Sequence, residues 1–315
     1  MLAGVAACTR HPQAMSTTST VAPSDVREVT VKLPAAGERD RRWHAQMRIP
    51  YGDGAGDVGI DPVKGGGPEG GAPYSSGEWA ILDTQNARIA RFGSAGESRG
   101  AVALPSGGWQ GGFVLDDQWF VATSSSDAVV ADTRVARAAT LEPKLFFGNA
   151  SDGHSIYGQD SSGVLHALRV VGGLPHLTTV DAYRAVNGTR YRIGRDNGVL
   201  RLELLDRKPP LELRMRMTSE SGAAVEPALE WAGDADGGIH LVFYGNVLDG
   251  DDIAAYLVVS KTGEVSPAER LPSFFSQHGG SVAHLRLIGG SVPALMLFGD
   301  DAMRIYTRDA AATGG

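Results

Sequence analysis

One pattern constrains this chain more than any other: a strand, a tight turn and a second strand recur from near one end to the other, with no long amphipathic helix between them. Residues 78–83 (EWAILD) read as a strand, 84–86 as a turn, 87–92 (ARIARF) as a second strand, 93–96 as another turn, and 99–104 as the close of the unit. Units of the same kind follow at 112–140, 153–180, 189–217, 227–271 and 281–308. The second strand ends at Asp83, Ser124, Asp160, Asp196, Gly245 and Asp300, at intervals of 41, 36, 36, 49 and 55 residues. Repeats of four strands commonly recur at roughly 40–50 residues and stack radially as blades. The 42 glycines and 16 prolines supply the positive-φ and fixed-φ positions that so many turns need.

The reading that follows is an all-β, six-bladed β-propeller closed by an N-terminal strand that completes the last blade. The final unit offers three strands, and the alternating stretch 27–33 (REVTVKL) has no unit of its own. Pairing 27–33 beside 302–308 would complete the sixth blade and remove two open sheet edges. Residues 41–50 (RRWHAQMRIP) form a further strand, and 51–71 a Gly-, Asp- and Pro-rich loop. The expected organisation is a truncated lipoprotein signal and flexible tether over 1–25, the propeller over 26–309 and a tail over 310–315.

Val5-Ala6-Ala7-Cys8 has the form of a lipobox, a small apolar run ending in the cysteine that takes the lipid. The basic region and most of the apolar core that precede such a site are missing, so Met1 reads as an internal or wrongly chosen start. Cys8 is the only cysteine, which rules out an internal disulfide and a thiolate metal cluster. The expected location is therefore the cell envelope, outside the cytoplasm, with a lipid anchor as the sole membrane attachment. A net charge of -7 and a pI near 5.6 speak against nucleic acid, whose phosphates need a basic face.

Asp83, Asn86, Arg88, Ile89 and Phe92, followed by Gly96, carry a resemblance to the NHL repeat family of six-bladed propellers: a strand ending in Asp, a turn with Asn, an Arg-Ile strand ending in an aromatic, then a Gly turn. The match is good for this unit; elsewhere only the turns at 160–170 and 196–204 keep part of it. The resemblance implies the fold. It implies little about activity, since such propellers include scaffolds, binding modules and enzymes.

Chemical motifs are few. Residues 54–59 (GAGDVG) satisfy G-x-G-x-x-G, but Ile60-Asp61-Pro62 follows where a dinucleotide site needs a helix. Asp249, Asp251 and Asp252 are the densest acidic group and the weak candidate for Ca²⁺, with a solvated hairpin tip the competing reading. His166, His240 and His284 fall within strands, where a satisfied histidine is the ordinary outcome. Trp109, in a glycine loop, is the aromatic expected to reach the rim and anchor a partner. The functional expectation is a monomeric, non-catalytic module for a protein or glycan partner, without a cofactor. The alternative is a hydrolase or lyase with a metal-assisted site at the central channel.

Overall fold

The computed structural model describes residues 25–33, 42–60, 67–185, 188–219, 221–225, 227–235, 238–246, 252–271, 284–288, 292–298 and 301–308; of 148–150, 227–235, 243–246, 252–254, 270, 284–288, 292 and 298 it describes the backbone alone. Two ribbons come first, β1 (Asp25–Lys32) and β2 (Trp43–Pro50). The first sheet holds β3 (Gly71–Pro73), β4 (Trp79–Asp83), β5 (Arg88–Phe92) and β6 (Ser98–Ala103). The second holds β7 (Gln110–Leu115), β8 (Trp119–Thr123), β9 (Asp127–Ala131) and β10 (Ala136–Thr140). The third holds β11 (Phe146–Ser151), β12 (Ile156–Gln159), β13 (Leu165–Val171) and β14 (Leu174–Thr179). The fourth is built on β15 (Tyr183–Arg184), β16 (Arg190–Asp196), β17 (Val199–Leu204), β18 (Leu211–Thr218) and β19 (Ala224–Val225). The fifth holds β20 (Pro227–Ala235), β21 (Gly238–Asn246), β22 (Asp252–Ser260) and β23 (Glu269–Arg270); the sixth holds β24 (His284–Ile288), β25 (Val292–Phe298) and β26 (Ala302–Arg308).

Closure occurs as the sequence requires, but with the other ribbon. β2 pairs antiparallel with β26, from Trp43 opposite Arg308 to Pro50 opposite Ala302, and makes the sixth sheet four-stranded. The expectation that residues 27–33 lie beside 302–308 is wrong: β1 runs parallel to β18, Asp25 opposite Leu211 through Lys32 opposite Thr218, on the outer edge of the fourth sheet. The reason lies in burial. Met47 and Ile49 enter the seam between the sixth and first sheets, and Trp43 that between the fifth and sixth, whereas Val31 and Leu33 fit the seam between the fourth and fifth.

Neighbouring sheets bury their faces against each other, so their strands read as apolar runs rather than alternating ones. All five residues of β4 are buried, and all but the first of β8 and β9. Phe113, Leu115, Val121 and Val130 pack on Ile156 and Leu168 across the second seam, while Leu82, Ile89 and Trp109 meet Phe120 and Val129 across the first. On the inner side β3 touches both β7 and β24. A side chain at Gly70, whose φ is +153°, would place its Cβ 2.1 Å from the Gly111 carbonyl oxygen, so only glycine lets the two inner strands meet backbone to backbone.

Closure is locked at the rim. Glu269, 5% exposed, accepts from Arg308 Nε at 2.8 Å and Nη2 at 2.5 Å, and pairs with Arg42 at 2.9 Å. One carboxylate of the fifth sheet thus holds groups beside and within both strands that finish the sixth.

Candidate functional site

The fourth sheet departs from the rule that both faces are buried. Its inner strand β15 is two residues long, and β11 of the third sheet reaches β20 of the fifth directly. β17 (VLRLEL) and β18 (LELRMRMT) alternate strictly. With a side-chain period of two, Leu200, Leu202, Leu204, Leu211, Leu213, Met215 and Met217 all fall on the face turned to the fifth sheet, where they join Leu241, Leu257 and Val259. Arg201, Glu203, Glu212, Arg214 and Arg216 fall on the other face, toward the third sheet. Among the described residues the hydrophobic cluster of that seam buries only Tyr157 and Ala167, with Leu165, Val180 and Tyr183 packed on them.

The register sets Arg201 directly opposite Arg214 and Glu203 opposite Glu212. Like charges so placed repel, and diagonal pairing resolves it. Glu212 accepts from Arg201 Nε and Nη2, both at 3.0 Å, and from Arg214 Nε at 2.7 Å. Burial pushes the Glu212 carboxyl up, but the hydrogen bonds and charges of Arg201 and Arg214 outweigh it and hold the group below its ordinary value. Arg214 also reaches Glu28 of β1 at 3.6 Å, and Arg192 meets Glu203 at 3.4 Å. Arg216 lies exposed, with no ion-pair partner among the described residues.

A depression of about 280 Å³ opens beside this charged face. Glu28, Asp196, Asn197, Val199, Arg201, Arg214 and Arg216 line it. Asn197 and Gly198 both have positive φ, +48° and +76°, the two-residue turn that right-twisted strands favour. The cleft presents guanidinium donors next to carboxylate and amide acceptors. Such a surface suits a polar partner rich in hydroxyls or charges.

The other sequence candidates lie elsewhere. Trp109 is 4% exposed, its ring in the seam between the first and second sheets and its Nε1 donating to the Pro105 carbonyl at 2.6 Å. The ring folds back over its own loop, where a side chain at Gly107 would collide with it. It offers no open face. Cys8, Asp249 and Asp251 lie outside the described residues, as does the side chain of Asp252, whose backbone pairs with Asn246 in the fifth sheet. No group of three His, Cys, Asp or Glu among the described residues is placed to hold a metal. His166 is satisfied by Asp160 at 3.1 Å and His240 by the Tyr256 hydroxyl at 2.5 Å; the side chain of His284 is outside the described set.

The G-x-G-x-x-G loop is held down by the residues behind the repeat resemblance. Asp83, fully buried, accepts from Gly59 N, Asn86 Nδ2 and Arg88 Nε at 2.9, 2.9 and 2.8 Å. Arg88 Nη2 donates to the Gly54 and Asp57 carbonyls and Asn86 Nδ2 to that of Gly52. These three side chains are structural, clamping 52–59 onto the first sheet. The charged cleft itself was missed by sequence reasoning, although the strict alternation of 199–204 and 211–218, against unbroken apolar runs elsewhere, is the signal that marks one open face.

Radially arranged antiparallel sheets, a last sheet completed from the N-terminal side and an inner row of touching strands define a β-propeller. Residues 41–308 match the family described as Domain of unknown function (DUF7485), and the chain belongs to that family. The matched span begins just before β2 and ends on the last residue of β26; β1 lies outside it. No curated protein sequence matches the chain significantly. Among solved structures it is similar to the calcium-binding protein regucalcin from Agrobacterium tumefaciens (13% identity, 90% of this chain and 97% of that one, TM-score 0.45). It is also similar to virginiamycin B lyase from Staphylococcus aureus (10%, 77% and 96%, 0.43) and hydrazine synthase from Kuenenia stuttgartiensis (11%, 75% and 74%, 0.45). No helix of the described residues is long and apolar enough to cross a membrane.

Proposed function

We propose that this chain is a non-catalytic binding module of the cell envelope, held outside the cytoplasm by a lipid on Cys8, that engages a protein or glycan partner through the cleft on its fourth sheet. One observation carries the reading: a fold that covers its sheet faces leaves this one open and lines it with ordered, alternating charges. Arg216, free of an internal partner among the described residues, is the natural first contact. The NHL-type repeat remains part of the proposal, supported by the Asp83–Asn86–Arg88 arrangement in the first sheet.

The test is binding of the immobilised chain to solubilised envelope proteins and a glycan panel, repeated with Arg216→Glu. A specific partner whose retention falls in the variant supports the proposal. Retention indifferent to the charge reversal, or turnover of a sugar or lactone by the purified chain, overturns it.

One observation favours the channel-enzyme alternative. Glu69 precedes the innermost strand β3, its carbonyl accepts from Gly111 N on the inner side of the second sheet, and although the residue keeps an exposed surface, partial desolvation by the protein around it raises its carboxyl pKa, the direction a channel acid would require. Bound Ca²⁺ or Zn²⁺ in the purified chain, together with loss of turnover in Glu69→Gln, would favour it.

A further inference from the structure

β1 is an addition to a sheet that does not need it. β15 to β18 already supply four strands, the complement of the other sheets, and β1 adds a further one by the single parallel strand pairing among the described strands. It lies outside the family match, which begins at residue 41. Six of its eight residues are exposed.

Its attachment is nonetheless specific. The ladder is bracketed by Asp25 N donating to Pro210 O at 2.9 Å and Leu33 N donating to Thr218 O at 2.8 Å. Val31 and Leu33, 4% and 2% exposed, fill sockets among the Leu and Met side chains of β18 and the fifth sheet. Arg27 Nη1 donates to the Gly263 carbonyl of the fifth sheet at 3.2 Å, and Glu28 faces Arg214. The edge of β18 that β1 covers, with its two apolar sockets, is thus a receptor for an extended segment, read by backbone hydrogen bonds and by alternate side chains. Strand addition to a sheet edge is recognised by this division of labour.

We propose that this edge is a strand-acceptor site and that the β1 segment of one copy also occupies the acceptor of a second copy. The occupant follows from the fit. The sockets match Val31 and Leu33, the carbonyl matches Arg27 and the guanidinium matches Glu28, and a second copy carries that same segment. An exchange repeats every contact made within one chain, so only the tether's concentrating effect opposes it. The connection between the ribbons, residues 34–41 (PAAGERDR), contains Pro34 and Gly37. The inference is independent of what the cleft binds.

The experiment uses the unaltered chain carrying either of two affinity tags. The two preparations are incubated together at high concentration, and capture on one tag is scored for the other. Mixed complexes are expected, and an excess of synthetic peptide spanning residues 24–34 is expected to abolish them. The same peptide with Val31→Asp and Leu33→Asp should leave them intact. Absence of mixed complexes overturns the proposal. Mixed complexes that persist in the presence of the native peptide, or that both peptides suppress equally, place any association on another surface and overturn it as well.

Discussion

Replacing Asp83 by Ala tests how the first sheet holds the loop before it. The carboxylate is fully buried and takes hydrogen bonds from Gly59 N, Asn86 Nδ2 and Arg88 Nε, while the Arg88 side chain is 16% exposed. Its loss leaves a guanidinium short of its counter-charge in a largely dry setting. Breaking a buried pair from one side costs about 3–5 kcal/mol, because the remaining charge is stranded. At roughly 2 °C per kcal/mol for a domain of this size, Tm should fall by about 6–10 °C. Differential scanning calorimetry measures this, and limited proteolysis should show early cutting within residues 52–59. The double variant Asp83→Ala/Arg88→Ala removes the stranded charge and should be less damaged than the sum of the single variants by about 1 kcal/mol or more. A loss under about 1 kcal/mol in Asp83→Ala, or strict additivity in the double variant, refutes the reasoning.

Glu269→Gln should destabilise the ring by about 3–5 kcal/mol by unpairing the largely buried Arg308, visible as a lower urea midpoint. Glu212 is held below the ordinary 4.5 in the folded chain, so its contribution is complete above about that pH and is lost as pH falls through the lowered folded value. Acid unfolding of Glu212→Gln should accordingly show a shallower pH dependence in that window, measured by circular dichroism. Trp109→Ala should lower stability by about 3–5 kcal/mol, as removal of a buried aromatic does, and leave partner retention at the cleft unchanged in the folded fraction.

Much of the architecture is local and so readable in advance. The expected strands 78–83 and 87–92 coincide with β4 and β5 to within a residue, because apolar runs between Asp, Asn and Gly turns have few other conformations open to them. Inner strands were harder to see. β3 is Gly-Ala-Pro and β7 begins Gln-Gly-Gly, so β3 and the first half of β7 carry no β-branched residue and serve for close approach rather than for packing bulk. Which ribbon closes the ring is not a local property: Arg27 to Leu33 has the better strand composition, yet Met47, Ile49 and Trp43 fit the closing seams. Trp109 shows the same limit, since a glycine loop allows an aromatic to fold inward as readily as to project. The cleft depends on a neighbouring face being left uncovered, which alternation hints at but only the placement of the third sheet decides.

Joining β2 to β26 brings residues 43–50 against 302–308, nearly the whole domain apart in sequence. Contacts of such long range carry the full loop-closure entropy and form late. During synthesis β2 leaves the ribosome early and must wait, with a bare hydrogen-bonding edge, until the ring's final strand emerges. A nascent chain stalled before residue 302 would therefore expose two strand edges at once, a template for aggregation. Arg308, which seats on Glu269 only after that strand is in place, makes arrival of the last residues the event that commits the molecule to its finished form.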